Sequence, residues 1–360
     1  MRKKKRKLKK KPFILMFIFV CFVLVVLFFI NNKTNVNIED KLSDLGYSSN
    51  EVKAIVKNVS KNNYNLISKK YNKSLVDLIT ANDYKEENFK KYLEYYDNNS
   101  KANVDDIIAI INSGYDLTKY PASSLLASLV KEKYYIHKNV TRYLDYGNSH
   151  DYLAKKVIAI VNAKADYAFY TETEKTNIKD DNLVLVNKFY HLSDSYEPDD
   201  LVTLSSKYNQ GANNKMRKDA ADAFMKMVDG AMLDNIILKN SSAYRSYEYQ
   251  VNLYDRYVKR DGKKKADIYS ARPGYSEHQT GLCTDINTVD SSFANTKEAK
   301  WLADNSYKYG FILRFPKGKE DITGYKYEPW HYRYVGEETA KIIYDEDLTL
   351  EEYYAYYIEK

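Results

Sequence analysis

The sequence contains too little cysteine for a disulfide scaffold. Its 360 residues include only two cysteines, Cys21 and Cys283. Cys21 lies in an apolar run near the N-terminus, whereas Cys283 lies in a polar segment far along the chain. We therefore expect no disulfide between them. Stability must come from buried apolar surface, and the chain is long enough for two domains that each bury a core.

Basic charge is scarce outside the N-terminus. The formal net charge of +7 comes from 56 Lys and Arg against 49 Asp and Glu. Residues 1–11 hold nine of the basic residues and no acidic one, which leaves 47 basic against 49 acidic residues and a net charge of −2. A nucleic-acid-binding protein needs a basic surface on its folded part, so we expect no nucleic-acid partner.

A long apolar run stands near the N-terminus. Residues 12–30 read PFILMFIFVCFVLVVLFFI, a run of 19 residues that is just long enough to cross a bilayer as a helix. The basic residues 1–11 would stay cytoplasmic, which places the rest of the chain outside. No small-residue cleavage site follows, because Asn31 begins a polar linker at 31–40. We expect an uncleaved signal anchor in a single-pass cell membrane protein.

Residues 41–175 have the pattern of a helical extracytoplasmic region. Apolar residues recur three and four positions apart, as in Val52-Ile55-Val56-Val59 and Val104-Ile107-Ile108-Ile111. The segment 91–112 is echoed at 142–162, with an offset of 50 to 51 residues. This pattern indicates either a short array of helix pairs or two unrelated amphipathic helices of similar composition. A polar stretch near 171–181 marks the expected domain boundary.

Histidine is also scarce, and two of the five histidines lie in motif-like segments. Residues 276–285 read SEHQTGLCTD and place His278 and Asp285 seven positions apart; residues 328–331 read EPWH. Two imidazoles, one carboxylate ligand, an open position for water and a second carboxylate are the components of a catalytic zinc site. We expect no role in such a site for the other three histidines, which are His137, His150 and His191.

Three blocks of the second half resemble the VanY-type D-alanyl-D-alanine carboxypeptidases. That family belongs to the zinc peptidases with Ser-x-His-x-x-Gly-x-x-x-Asp and Glu-x-x-His signatures. The resemblance covers about residues 180–340, implies a zinc peptidase domain and says nothing of the first half. The mixture of helical and strand patterns in this part predicts an α+β domain, a mixed sheet with flanking helices, after the all-α, possibly repeat-built region. We place this domain at 180–345, followed by a helical tail at 346–360. The matching blocks are 242–250, 271–282 and 328–336.

The resemblance implies both the metal ligands and the base. Zinc would be held by His278, Asp285 and His331. Glu328 would act first as the general base and later as the acid that protonates the leaving amine. The chemistry agrees with this role, because a carboxylate beside a metal-bound water molecule can take its proton and pass it on.

The resemblance also implies substrate contacts. Arg245 would bind the substrate carbonyl and the oxyanion that develops on it, or the terminal carboxylate. Gln250 and Ser276 resemble the family's substrate-contacting positions, although each could instead cap a turn. Cys283 departs from the family, which usually has a small residue such as Ala there. On a strand it would share a face with Asp285, so its thiol could compete as a ligand or could simply fill a small buried space.

These observations predict a membrane-anchored, zinc-dependent D,D-carboxypeptidase. It would remove the C-terminal D-alanine from peptidoglycan stem peptides by attack of zinc-activated water. Three alternatives stay open: an L,D-carboxypeptidase acting on tetrapeptide stems, a cell-wall endopeptidase, and a non-catalytic protein that binds wall polymer or a partner. The third residue of the stem and the oligomeric state do not follow from the sequence.

Overall fold

The computed structural model describes residues 38–359 together with the pair 22–23. The expected signal anchor at 12–30 therefore lies outside the described residues except for that pair. Among the described residues, no helix is both long and apolar enough to cross a membrane. The chain divides into two compact units, Met1–Tyr135 and Ile136–Lys360.

The described part of the first unit is built from helices, and an apolar cluster that includes Ile55 forms a core among the helices up to the one that starts at Phe89. Val52 and Ile55 of its second helix are buried one turn apart, as the apolar spacing predicts. That helix starts at a capping box, in which Ser48 and Glu51 each accept a hydrogen bond from the other's backbone N–H. The described helices are α1 (38–44), α2 (Ser49–Asn58), α3 (Tyr64–Ile67), α4 (Lys73–Thr80), α5 (Phe89–Asn98), α6 (Val104–Asn112) and α7 (Ser124–Leu129).

The second unit combines helices with short strands. This is the mixed α+β domain that the resemblance implies. Its described helices are α8 (Val140–Ser149), α9 (Ala154–Asn162), α10 (Lys218–Leu233), α11 (Tyr247–Asp261), α12 (Lys263–Tyr269), α13 (Lys297–Asn305), α14 (Glu320–Thr323), α15 (Glu337–Glu346) and α16 (Leu350–Tyr353). Its described strands are β1 (Glu174–Lys175), β2 (Tyr190–His191), β3 (Leu201–Thr203), β4 (Lys215–Arg217), β5 (Asn240–Ser242), β6 (Cys283–Ile286), β7 (Phe311–Leu313) and β8 (His331–Tyr334).

A four-stranded antiparallel sheet forms the centre of the second unit. Its strand order is β5-β6-β8-β7. Side chains alternate between the two faces of a strand, so Leu282, Ile286 and Tyr332 join the apolar core that α10 covers. Residues one position away, including Asp285 and His331, point to the opposite face. One face of the sheet therefore packs against the apolar core, and the other carries Asp285 and His331.

A buried tyrosine–asparagine contact occurs in both copies of the sequence echo. In the first copy, Tyr92 of α5 donates a hydrogen bond to the side-chain oxygen of Asn112 at the end of α6. In the second copy, Tyr143 of α8 donates in the same way to Asn162 at the end of α9. Both tyrosines are fully buried. The offset seen in the sequence thus corresponds to the same helix pair with the same internal contact.

The second helix pair packs within the second unit. Ile160 and Ala163 share a small core with Ile322, and the ammonium of Lys156 lies 2.8 Å from the carboxylate of Asp321. The boundary between the two compact units therefore lies before this helix pair, after Tyr135. The composition of the sequence predicts it near 171–181 instead. A polar stretch marks a change in composition whether or not the helices before it dock on the same core.

The residues expected to form a C-terminal helical tail are part of the second unit. Leu350 is fully buried, and Glu351 and Glu352 are at most 3% exposed. The hydroxyl of Thr349 and the carboxylate of Glu352 form a capping box that starts α16. The segment therefore belongs to the domain core.

Candidate active site and metal centre

Two neighbouring strands and one tight turn bring the three expected ligands together. Asp285 of β6 and His331 of β8 are register partners, and Oδ1 of Asp285 lies 3.2 Å from Nδ1 of His331. His278 lies in a 3₁₀ turn before β6, and its Nε2 lies 3.5 Å from Oδ2 of Asp285. That turn ends at Gly281, whose φ of +69° is a backbone conformation that residues with a side chain rarely adopt.

Each imidazole is oriented by a hydrogen bond on its outer nitrogen. The carbonyl oxygen of Ala243 can only accept, so Nδ1 of His278, 2.8 Å away, carries the hydrogen and Nε2 faces Asp285. The carboxylate of Glu277 accepts from Nε2 of His331 at 3.1 Å, so Nδ1 of that ring faces Asp285. Metal-binding histidines in proteins are held in this way.

The donor set fits a zinc-type cation. Oδ1 of Asp285 is buried and has no hydrogen-bond partner, although the side chain is only 5% exposed. A bare anionic oxygen is costly inside a protein unless a cation compensates it. Two imidazole nitrogens and one carboxylate form a ligand set that zinc uses in catalytic sites. The site can therefore hold zinc through His278, Asp285 and His331.

Glu328 stands beside this donor set. Its Oε2 lies 3.6 Å from Nδ1 of His331, and its side chain is 13% exposed. A tight turn holds it there, because the N–H of His331 donates to the Glu328 carbonyl at 3.1 Å. Burial raises the pKa of Glu328 to about 7. A carboxyl group with a pKa near neutrality can both accept and return a proton.

Arg245 supplies a cation at the wall of the same site. One of its terminal nitrogens lies 3.4 Å from Asp285 Oδ2 and the other lies 3.4 Å from the side-chain oxygen of Gln250. Its Nε is buried and has no partner, so the guanidinium can still donate to a ligand. Gln250 is in turn fixed by donating to the carbonyl of Ala271 at 2.8 Å.

A cavity of about 400 Å³ adjoins these groups. All seven residues expected in the site line it, and the wall also contains several aromatic side chains. The seven are Arg245, Gln250, Ser276, His278, Asp285, Glu328 and His331. The remaining wall includes Tyr257, Tyr269, Tyr275, Phe315, Tyr325 and Trp330.

Comparison with known proteins identifies the family of this chain. The family model VanY, D-alanyl-D-alanine carboxypeptidase, matches residues 213–337. The bifunctional D-Ala-D-Ala dipeptidase and D-Ala-D-Ala carboxypeptidase VanXYC of Enterococcus gallinarum is 32% identical over 182 residues, which cover 48% of this chain and 94% of that protein. The chain belongs to the VanY family.

Other relatives match this chain over part of their own length. The YodJ protein of Bacillus subtilis (strain 168) is 48% identical over 181 residues, which cover 48% of this chain and 66% of YodJ. The chain covers 59% and 51% of two enterococcal D-alanyl-D-alanine carboxypeptidases. The solved structure of the LdcB LD-carboxypeptidase is 45% identical, covers 52% of this chain and 91% of that chain, and gives a TM-score of 0.49.

Glu277 is a site residue of this VanY-type domain that sequence reasoning missed. Although burial opposes ionisation, Arg314 and Arg333 hold the pKa of Glu277 well below its usual range, so it is an anion where it meets His331. Its place between Ser276 and His278 in the motif was the available signal. The sequence offered no such signal for Arg314, whereas Arg333 lies in the matching block 328–336.

The thiol of Cys283 lies close to two of the expected metal ligands. One ligand atom each from Cys283, His278 and His331 lie within 4.8 Å of one another. Burial opposes ionisation of the thiol, but His278 and His331 lower the pKa of Cys283 to about 7. Burial likewise opposes the charged ring of His331, yet Cys283 and the carboxylates of Asp285 and Glu277 raise the pKa of His331 well above its usual value. Binding of a metal cation at this site therefore competes with protonation of His331.

Proposed function

We propose that this chain is a zinc-dependent D,D-carboxypeptidase that removes the terminal D-alanine from peptidoglycan stem peptides. The observation that carries the proposal is the convergence of His278, Asp285, His331 and Glu328 on one cavity in a VanY-family chain. Relatives that carry the name D-alanyl-D-alanine carboxypeptidase support this choice of substrate. Because the chain covers only part of those relatives, the activity and substrate of the whole protein are included in the proposal.

His278, Asp285 and His331 would hold the zinc ion. When bound, the ion supplies Lewis-acid chemistry, which lowers the pKa of water and polarises a carbonyl group. The carbonyl of Ala243 and the carboxylate of Glu277 keep the two rings turned toward the ion. These contacts prepare the site before substrate arrives, so little reorganisation is needed during the reaction.

Glu328 moves the proton in this proposal. Its carboxylate takes a proton from the attacking water at Oε2, because that oxygen faces the ligand cluster. It then gives the proton to the amine of the departing D-alanine as the peptide bond breaks. The mostly buried position of Glu328 keeps bulk water away from this transfer.

Arg245 binds the peptide in this proposal. Its unpartnered Nε and its terminal nitrogens can donate to the oxygen of the scissile carbonyl as negative charge develops there. Gln250 holds the guanidinium in place through its side-chain oxygen, and Ser276 lies in the same wall. The aromatic side chains of the cavity supply apolar surface for the rest of the stem peptide.

We also propose that the N-terminus anchors this domain on the outer side of the cell membrane. Nine basic residues in 1–11 precede the apolar run at 12–30, and basic residues flanking a span favour the cytoplasmic side. Such an anchor would hold the cavity next to the peptidoglycan. Protease treatment of intact cells tests this: loss of the domain with survival of the N-terminal fragment is expected, and full protection of the domain would contradict it.

Mass spectrometry of muropeptides tests the catalytic proposal. Purified full-length protein in detergent is incubated with pentapeptide and tetrapeptide muropeptides, with Glu328→Gln as the control. Loss of one D-alanine from the pentapeptide alone is the expected result, and a chelator should abolish it. Loss from the tetrapeptide would instead identify an L,D-carboxypeptidase, and cleavage of cross-linked dimers an endopeptidase. Identical products from the wild type and the variant would overturn a catalytic role.

A further inference from the structure

A chain of buried charges extends from His331 to Glu351 on α16. Oε2 of Glu277 accepts from His331, while its Oε1 accepts from Nε of Arg314 and from Nη1 of Arg333, both at 2.7 Å. Both arginines are completely buried. Glu277 is therefore held on one side by two cations and presents its other oxygen to a metal ligand.

Glu351 closes this chain of charges. Nη1 of Arg314 donates to one oxygen of Glu351 at 2.8 Å, and Nη2 donates to the other at 2.6 Å. Two parallel hydrogen bonds of this kind fix both partners in one plane. Glu351 is 2% exposed and also accepts from the side chain of Asn187 at 3.2 Å. It lies on α16, beyond the matched residues 213–337.

The charges of this network balance only when Glu351 is ionised. Arg314 contacts two carboxylates, whereas Arg333 contacts Glu277 and backbone carbonyl oxygens. Without the charge of Glu351, Arg314 would have Glu277 as its remaining anionic partner and would draw that carboxylate toward itself. Oε2 of Glu277, which accepts the hydrogen bond from His331, would then be a weaker acceptor. A buried charge left without its partner is costly, so such a shift is favoured.

We infer that Glu351 is a positioning residue for the metal site, acting through Arg314 and Glu277 to hold His331 with Nδ1 toward Asp285. The inference rests on the metal site of the proposed function and deepens it. Its consequence is that α16, which does not line the cavity, contributes to metal affinity. The C-terminal segment is then part of the active-site machinery of this chain.

Glu352 provides a matched control on the same helix. It is 3% exposed, and its Oε2 accepts from the Thr349 N–H at 2.8 Å and lies 3.4 Å from the ammonium of Lys319. Neither contact reaches Arg314. Neutralising Glu352 therefore perturbs α16 and a buried carboxylate without touching the chain of charges that leads to His331.

The test compares zinc affinity in full-length Glu351→Gln and Glu352→Gln proteins. Affinity is measured by competition with a chromogenic chelator, well below the unfolding temperature of each protein. Glu351→Gln should bind zinc roughly 10-fold more weakly, which is the lower end of what a lost outer contact costs a metal site. Glu352→Gln should keep the wild-type zinc affinity even if its unfolding temperature falls as much as that of Glu351→Gln.

A second measurement does not depend on zinc. In metal-free protein with ¹⁵N-labelled histidine, the Nε2–H signal of His331 reports its hydrogen bond to Glu277. Glu351→Gln should shift this signal, and Glu352→Gln should not. Where Glu351→Gln does not fold, Glu351→Asp keeps the charge but shortens the side chain, and a smaller loss of zinc affinity with a smaller shift is expected.

Three results decide the matter. A folded Glu351 variant with wild-type zinc affinity and an unchanged His331 signal would overturn the inference. Equal losses in the Glu351 and Glu352 variants would overturn it too, because the effect would then follow from a destabilised α16. If the unaltered chain binds no zinc, the proposed function fails, while the His331 signal still tests the positioning role by itself.

Discussion

Asp285 and His331 face each other across two antiparallel strands, with Oδ1 of the carboxylate 3.2 Å from Nδ1 of the ring. Neither atom uses this contact as a well-formed hydrogen bond, and the carboxylate oxygen has no other partner. The register of the sheet places the two side chains opposite each other, and the hydrogen bond to Glu277 turns Nδ1 of the ring toward Asp285. An oxygen and a nitrogen that lie this close in a buried site can bind one cation together.

Replacing Asp285 by Asn should greatly weaken metal binding. The amide keeps the size of the side chain but removes the anionic charge that helps to neutralise a divalent cation. We expect zinc affinity to fall by about 100-fold or more, which exceeds the usual cost of an outer-shell change. Chelator competition measures this, with Asp290→Asn as the control because Asp290 is exposed and caps a short turn. Wild-type affinity in Asp285→Asn would contradict the ligand assignment.

Replacing Glu328 by Gln should remove turnover and leave binding intact. Gln fills the same space but cannot take a proton, and general acid–base groups contribute about 10²–10⁴-fold to rate. We expect kcat to fall by roughly 10³-fold, with KM and zinc affinity close to those of the wild type. Steady-state kinetics on the pentapeptide measures both constants. An unchanged kcat would show that Glu328 is not the base, and Glu337→Gln, at the start of α15, provides the control.

The sequence indicated which residues meet at the cavity, but not the buried ion pairs that hold them in place. His278, Asp285, His331 and Glu328 belong to short segments whose spacing is set by local structure: a turn that needs Gly281, and strands whose side chains alternate. Such local rules can be seen in a single sequence. The contact between Arg314 and Glu351 depends on how α16 packs against the sheet, and neither residue belongs to a motif.

One apolar run has the sequence pattern of a strand but forms none. Residues 183–188 read LVLVNK, a pattern typical of a strand, yet residues 184–186 form no strand ladder. Two carbonyls of this segment accept hydrogen bonds from side chains instead: Arg333 donates to the carbonyl of Val184 at 2.8 Å, and Thr176 donates to that of Leu185. A buried segment needs hydrogen bonds but not necessarily those of a sheet, and a sequence pattern does not distinguish the two cases.

Cys283 should change which metals the site prefers. Its sulfur lies near the imidazole nitrogens of His278 and His331, and thiolates favour soft ions such as cadmium. Cys283→Ala should therefore lower the affinity for cadmium more than the affinity for zinc. Calorimetric titration with each ion measures the two changes, and Cys21→Ala is the control because it alters the only other cysteine. Equal changes for both ions would show that the thiol only fills space.

Lys188 should make stability depend on pH in the alkaline range. Its ammonium is almost completely buried and donates to the carbonyls of Asp267 and Gly324 at 2.6 and 2.5 Å, among the rings of Phe169, Tyr170 and Tyr325. Burial lowers the pKa of Lys188 to about 8, whereas a lysine in an unfolded chain has a pKa of about 10.4. Between these values the unfolded chain binds more protons than the folded one. The contribution of Lys188 to the free energy of unfolding therefore rises with pH in this window.

Denaturant titrations of the wild type and Lys188→Met at pH 7, 9 and about 10 measure this contribution. Met keeps the length and apolar stem of the side chain but has no proton to lose. The difference in free energy of unfolding between the two proteins should shift in favour of the wild type as the pH rises through about 8. Lys155→Met, at an exposed position on α9, should show no such trend. A difference that stays constant with pH would mean that the rings and carbonyls around Lys188 keep its ammonium charged throughout the range.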